Sequence, residues 1–150
     1  MHNPSRREAT GLILVVSAAL FAPPSFASDV LPLAIRGYDP VAYFTTGTPT
    51  LGLPELEFEW DEHRYRFSRP EHRELFKADP ARYAPQFANF CAMALAKGLI
   101  VEADPQIWLI SDGKLYIFGG PEGPRLFQQS LAENVARANQ NRGLVENLQR

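Results

Sequence analysis

Four side chains in this sequence carry atoms that suit a soft or borderline metal ion. Cys91 and Met93 provide sulfur, and His63 and His72 provide imidazole nitrogen. Thiolate and thioether ligands favour Cu(I), and imidazole suits copper or zinc, so these residues predict a copper or zinc site anchored by Cys91. Residues two apart on a regular helix point about 200° apart, so Cys91 and Met93 would not both face one ion there.

Each of these residues also has a structural interpretation. A lone cysteine is most often a small buried hydrophobe, and Met93 stands among alanines and a leucine, where methionine commonly fills core space. His63 lies in a predicted turn and His72 near the start of a predicted helix, where histidines are commonly solvated. A thiol enzyme would need Cys91 beside a histidine and an orienting aspartate. No motif provides that arrangement, so we expect no catalytic activity.

A second candidate site lies in the segment Gly37–Phe44, which reads GYDPVAYF. Asp39 is placed to cap a helix whose first residue is Pro40, where the missing N–H costs nothing. Tyr38 and Tyr43 flank this cap and form a candidate ligand pocket with Asp39. The two tyrosines would serve a hydrophobic core equally well, and the sequence leaves both interpretations open.

The first 27 residues predict a cleaved export signal. Arg6 and Arg7 give a basic start, residues 11–21 are uncharged and apolar, and Ser25-Phe26-Ala27 suits a signal peptidase. The apolar run is shorter than the roughly 18 residues that span a bilayer. We therefore expect a periplasmic or secreted protein with no stable membrane span after cleavage.

Charge and cysteine content exclude some partners and bonds. Removal of residues 1–27 leaves 13 basic and 16 acidic side chains and no basic patch, so we expect no nucleic-acid partner. Cys91 is the only cysteine, so no disulfide can form within the chain. In an oxidising compartment this thiol has to be buried, metal-bound, or open to oxidation or pairing with another chain.

The residue pattern predicts a small single α+β domain of short helices and antiparallel hairpins over residues 28–118. Alternating apolar and charged residues predict a strand at 56–60, a turn at 61–63 and a partner strand through Tyr65 and Phe67. The other predicted elements of this half are an edge strand at 30–35, a helix from Pro40 to Gly47, a loop at 48–54, and a helix begun by a Ser68–Glu71 capping box with Leu75 and Phe76 on its apolar face.

The second half is predicted in the same way. Ser111-Asp112-Gly113 links strands at 107–110 and 114–118 in a hairpin. Apolar residues at three- and four-residue spacing predict an amphipathic helix over 125–139, within a C-terminal segment at 119–150 that packs on the domain. The remaining predictions are a helix begun by Asp79-Pro80 and broken at Pro85, a helix over 90–97 ended by Gly98, a buried strand at 99–101, and a turn at Asp104-Pro105.

A series of blocks follows along the chain in this order: Gly37–Phe44, Tyr65–Phe67, Phe76 with Asp79-Pro80 and Tyr83, Cys91, Trp108, and Asp112–Tyr116. The series spans residues 34–118 and resembles the YHS domain family, in particular its small exported bacterial members. The resemblance implies a metal-binding role, because related domains occur beside copper-transporting ATPases. Those relatives carry a cysteine cluster where this chain has Ala42, Ser68 and His72, so the thiolate cluster is absent.

Two functional hypotheses follow. The first is an exported, non-enzymatic binding module that handles copper or zinc through Cys91, with His63, His72 and Met93 as further ligands. The family resemblance and the unpaired cysteine favour it. The second is a protein-interaction or small-ligand module in which Cys91 is structural and no metal binds. The missing thiolates and the aromatic opening segment favour this alternative.

Overall fold

A computed structural model describes residues 30–148, and the predicted export signal at 1–27 lies outside this range. Over the described range the chain forms two antiparallel hairpins and seven short helices, which confirms the predicted α+β class. No helix within 30–148 is long and apolar enough to cross a bilayer. The elements are α1 (Ala42–Thr45), β1 (Leu53–Trp60), β2 (His63–Phe67), α2 (Pro70–Ala78), α3 (Pro80–Tyr83), α4 (Ala92–Ala96), β3 (Asp104–Ser111), β4 (Lys114–Phe118), α5 (Gly123–Gln129), α6 (Leu131–Gln140) and α7 (Arg142–Glu146).

The hairpin of β3 and β4 separates two hydrophobic cores. Successive residues of a strand point to opposite faces, so Leu115 and Ile117 pack into the first core while Tyr116 and Phe118 pack into the second. The β1–β2 hairpin and α2 contribute to the first core, and α4, α5, α6 and α7 contribute to the second. One hairpin therefore joins the two halves of the molecule, and the C-terminal helices pack on it.

Both hairpins form where the alternating patterns predict them. β1 pairs with β2 from Trp60 opposite His63, and β3 pairs with β4 from Ser111 opposite Lys114. His63 therefore begins β2, whereas the sequence pattern placed it in the turn. Its side chain lies on the buried face of β2, on the same face as Tyr65.

Three predicted elements in the loops are wrong. Residues 30–35 form an isolated bridge at Leu33 and then a tight turn at Ala34–Gly37, instead of an edge strand. Residues 99–101 form an exposed loop, because apolar residues without a strand partner gain no burial there. Asp104-Pro105 begins β3 rather than turning the chain.

Helix ends also differ from the prediction. The Ser68–Glu71 capping box does not form, since Ser68 binds another carboxylate and α2 begins without a side-chain cap. On α2, Phe76 is fully buried but Leu75 is 42% exposed, so only one of the two expected apolar residues reaches the core. The helix predicted over 125–139 breaks at Ser130 into α5 and α6, and this break lets both helices contact α4.

Candidate functional site

Asp39 is the centre of a closed hydrogen-bond network. Its side chain is fully buried, and its Oδ1 accepts the N–H groups of Val41 (2.9 Å) and Ala42 (3.3 Å) at the start of α1. Its Oδ2 accepts both the N–H (2.8 Å) and the hydroxyl (2.7 Å) of Ser68 and lies 2.6 Å from His72 Nδ1. The predicted cap on α1 is therefore present, and the same carboxylate also ties α1 to the start of α2.

His72 completes this network from α2. It is 4% exposed, so the expectation of a solvated histidine is wrong: the helix presents it inward to Asp39. Its other ring nitrogen, Nε2, lies 3.1 Å from the hydroxyl of Thr45, which also lies 3.1 Å from the carbonyl of Val41. Both imidazole nitrogens thus have protein partners, and neither is directed at open space.

Tyr38 and Tyr43 act as ties between the opening segment and β3. The Tyr43 hydroxyl donates to the carbonyl of Pro105 at 2.7 Å, and the Tyr38 hydroxyl accepts from the side chain of Gln106 at 2.9 Å. Burial raises the pKa of Tyr43 well above its ordinary value. Neither tyrosine, nor Asp39, lines either of the two cavities described below.

Cys91 and Met93 lie at the start of α4, beside the second core. Cys91 is 7% exposed and caps the helix: its Sγ accepts the N–H of Ala94 at 3.4 Å, and its own N–H donates to Val101. Because Cys91 precedes the first helical turn, the 200° separation expected within a helix does not apply. Both sulfur-bearing residues border one shallow groove of about 250 Å³, which Lys97 also borders.

His63 lies apart from this groove. It is 3% exposed at the start of β2, so the expectation of a solvated histidine is wrong here as well, and its Nδ1 lies 2.8 Å from the carbonyl of Asp61. Among residues 30–148, no three His, Cys, Asp or Glu side chains come together in a way that would hold a metal ion. Cys91 belongs to the second core, whereas β2 and α2, which carry His63 and His72, build the first.

A cleft of about 420 Å³ is larger than the groove beside Cys91. It opens between the β1–β2 turn, the segment after α3, and α7. Its volume falls in the range of about 300–1,000 Å³ that is typical of small-molecule sites. Its lining residues are Trp60, Asp61, Glu62, Tyr65, Ala81, Ala84, Pro85, Gln86, Phe87, Ala88, Arg142, Val145 and Glu146.

Tyr65 gives this cleft a polar group that the fold does not use. The side chain is 98% buried, yet its hydroxyl has no hydrogen-bond partner anywhere in the described range. Every fully enclosed side-chain nitrogen or oxygen of that range has a partner, so the hydroxyl keeps a narrow opening, and the cleft is the cavity that Tyr65 lines. Burial, with the nearby Asp61 carboxylate, raises the pKa of Tyr65 well above its ordinary value, so the phenol stays neutral.

The rim of the cleft is held in uncommon backbone conformations. Asp61 and Glu62 form the β1–β2 turn with φ of 48° and 61°, and Ala88 on the opposite side has φ of 49°. Non-glycine residues in this left-handed region cost roughly 1–2 kcal/mol each. The equivalent turn of the other hairpin uses Asp112 and Gly113, which is a far more common choice.

Sequence reasoning did not find the cleft because no motif marks it. Its lining residues come from three separate segments, at 60–65, 81–88 and 142–146. One local signal was present: the turn between β1 and β2 uses Asp61-Glu62 where Asn-Gly or Asp-Gly is usual. The unpaired hydroxyl of Tyr65 is visible only once α3, α7 and β2 are placed around it.

Comparisons with protein families, with curated proteins and with solved structures find no match for this chain. The resemblance to the YHS domain family therefore stays a prediction.

Proposed function

We propose that this protein is a non-enzymatic binding module for a small organic ligand, held in the cleft beside Tyr65, with Cys91 in a structural role. The observation that carries the proposal is the Tyr65 hydroxyl, which is buried and unpartnered at a cavity large enough for such a ligand. A hydroxyl without a partner costs free energy, and a ligand atom at hydrogen-bond distance removes that cost.

The surroundings of the hydroxyl support this proposal. Trp60, Tyr65 and Phe87 provide aromatic surface, and the strained turn at Asp61-Glu62 supports one wall. Small-molecule sites combine aromatic or apolar surface with directed polar groups, and this cleft has both. Strain of this kind tends to persist where a function depends on it.

A structural role for Cys91 accords with its contacts. The thiol caps α4, and the side chain packs in the second core. Cys91→Ser keeps an acceptor at the cap position, so we expect the variant to fold and to retain ligand binding in the cleft.

The test is a fragment screen by protein-observed NMR on the full-length protein. The fragments should include amines, neutral alcohols and carboxylates of about ten heavy atoms. Ala81→Trp fills the mouth of the cleft from an exposed position, and Ala136→Trp adds the same ring to an exposed position on α6. We expect hits that shift Tyr65 and Phe87 and that disappear with Ala81→Trp but persist with Ala136→Trp.

Tyr65→Phe tests the hydroxyl itself. It removes one oxygen from the cleft, and Tyr83→Phe removes one from another buried tyrosine that does not line the cleft. We expect fragments that hydrogen-bond at this position to bind about five- to twentyfold more weakly to Tyr65→Phe, and equally well to Tyr83→Phe. Fragment binding that is unaffected by both Ala81→Trp and Tyr65→Phe would overturn the proposal.

A further inference from the structure

The cleft carries an excess of negative charge. Asp61, Glu62 and Glu146 line it with three carboxylates, and Arg142 is its one basic lining residue. None of the three carboxylates forms an ion pair or a side-chain hydrogen bond within residues 30–148. By contrast, Glu57, a carboxylate at the same hairpin but outside the cleft, pairs with both Arg64 and Arg66.

Arg142 keeps its positive charge, but within residues 30–148 it forms no ion pair with any of these carboxylates. Its guanidinium stacks over the ring of Phe87, with the central carbon 5.0 Å from the ring centroid. One terminal nitrogen donates to the carbonyl of Gln86 and the other to the side chain of Asn139, each at 2.9 Å. The arginine is therefore engaged with the wall of the cleft, while the three carboxylates have no partner there.

Aromatic surface and carboxylates together suit one class of ligand. The faces of aromatic rings attract cations, most strongly for tryptophan, and Trp60 is half-buried beside Tyr65 with ring centroids 6.2 Å apart. The position of Arg142 over Phe87 is a cation–aromatic contact already made at this cleft. The neutral hydroxyl of Tyr65 can accept a hydrogen bond from an ammonium group.

We propose that the ligand of this cleft is a small organic ammonium ion, bound with its apolar body against Trp60 and Tyr65 and its charge facing Asp61, Glu62 and Glu146. The inference rests on the proposed function, because it names the ligand class for the same cleft. An anionic ligand would meet three unpaired carboxylates, and a neutral one would leave them without a partner.

The experiment compares ligands of equal shape and different charge. Choline is set against its neutral isostere 3,3-dimethylbutan-1-ol, and 2-phenylethylamine against 2-phenylethanol and 3-phenylpropanoate. Binding to the full-length protein is followed by NMR titration at low and high salt. We expect each ammonium ion to bind about tenfold more tightly than its neutral isostere at low salt, and the difference to shrink at high salt.

Variants assign the charge effect to the cleft. Asp61→Asn/Glu62→Gln/Glu146→Gln removes the three carboxylates with little change of shape, and Glu71→Gln removes one exposed carboxylate on α2 as the control. We expect the triple variant to bind both ammonium ions about tenfold more weakly and the neutral isosteres unchanged. Glu71→Gln should bind all of them as the parent does.

The outcomes separate the two proposals. Neutral or anionic probes that bind in the cleft as tightly as the ammonium ions would overturn the ammonium inference and leave the binding module standing. If no probe of any charge shifts the residues of the cleft, and the broader fragment screen also finds none, the binding module itself is wrong. Ammonium binding that the triple variant leaves unchanged would also overturn the inference.

Discussion

Two buried polar regions of this molecule contain similar groups but differ in whether those groups are satisfied. At Asp39, every oxygen of the carboxylate has hydrogen-bond partners, and His72 uses both ring nitrogens. At Tyr65, the hydroxyl of a buried side chain has no partner in the described range and borders an open cleft. A closed network stabilises a fold, whereas an unsatisfied group beside a cavity is available to a ligand.

The same two regions also differ in how easily their sequences are recognised. The Asp39 network belongs to the segment with the most recognisable sequence, GYDPVAYF, and its geometry accounts for those residues as a structural junction between α1, Ser68 and α2. The cleft uses residues that no motif marks. Recognisable sequence and candidate binding chemistry therefore lie in different parts of this protein.

The largest expected effect comes from breaking the closed network. Asp39→Ala removes the carboxylate from the junction and leaves buried N–H groups and His72 Nδ1 without their partner, so we expect a loss of about 3–5 kcal/mol in the free energy of unfolding. Urea denaturation measures it. Asp79→Ala is the matched control, because this exposed aspartate also precedes a proline and caps one helix; it should cost only about 1 kcal/mol. Equal losses would contradict a special role for Asp39.

A pair of tyrosine substitutions tests the comparison directly. Tyr43→Phe deletes a hydroxyl that donates to the Pro105 carbonyl, and we expect it to cost about 1–1.5 kcal/mol. Tyr65→Phe deletes a hydroxyl whose burial without a partner costs free energy, so the variant should lose no stability and should gain up to about 1 kcal/mol. Thermal and urea unfolding of both variants provide the measurement. A loss in Tyr65→Phe as large as that in Tyr43→Phe would mean that its hydroxyl is already satisfied.

Alkaline pH should destabilise the protein through these same tyrosines. Burial raises the pKa of Tyr43 and of Tyr65 in the folded protein, whereas the unfolded chain ionises near the ordinary tyrosine value. The stabilisation is therefore complete below about pH 10 and is lost as the pH rises above it, by up to about 1.4 kcal/mol per pH unit for each tyrosine. Urea unfolding between pH 8 and 11 measures the slope.

The Tyr65→Phe variant assigns part of that slope. The variant lacks one of the two tyrosines whose pKa is raised. Its free energy of unfolding should therefore fall less steeply above pH 10 than that of the parent protein, whereas neither protein should show this fall at pH 8. Phenolate absorbance should show delayed ionisation of a tyrosine in the parent that is missing from the variant. A slope that is the same in both proteins would place Tyr65 in contact with solvent.

The smallest expected effect concerns the two hairpin turns. Glu62→Gly relieves a left-handed glutamate, and we expect it to stabilise the protein by about 0.5–1 kcal/mol. The reverse change in the other hairpin, Gly113→Glu, should destabilise it by a similar amount, since Gly113 has φ of 70°. Thermal unfolding compares the two. If Glu62→Gly also weakens ammonium binding, the left-handed conformation of Glu62 is maintained because it places this carboxylate at the cleft.

Sequence patterns correctly predicted the features that depend on interactions between residues close together in the chain. The alternation around β2 and β4 placed both hairpins, and the Asp-Pro pairs placed the starts of α1 and α3, because these features depend on side-chain direction and on capping within a few residues. The loop at 99–101 was predicted to be a buried strand because its three residues are apolar. An apolar run indicates burial, but the strand partner that would bury it is a tertiary matter.

The predicted metal site shows why residue types alone do not locate a binding site. The four candidate ligands have suitable chemistry, but their convergence depends on how β2, α2 and α4 are arranged. In the fold, His72 turns inward to Asp39, and Cys91 caps α4 on the far side of the β3–β4 hairpin. Composition identified the donors; it contained no information about the distances between them.

The sequence by itself determined the α+β class, the two hairpins, the cap that Asp39 places on α1, and the absence of a disulfide partner for Cys91 within this chain. The tertiary structure alone decided that His72 is buried, that β4 serves two cores, and that Tyr65 borders a charged cleft with an unpaired hydroxyl. The reason is physical: capping and alternation act over a few residues. Burial, hydrogen-bond satisfaction and cavities depend on segments that are distant in sequence and meet only in the folded chain.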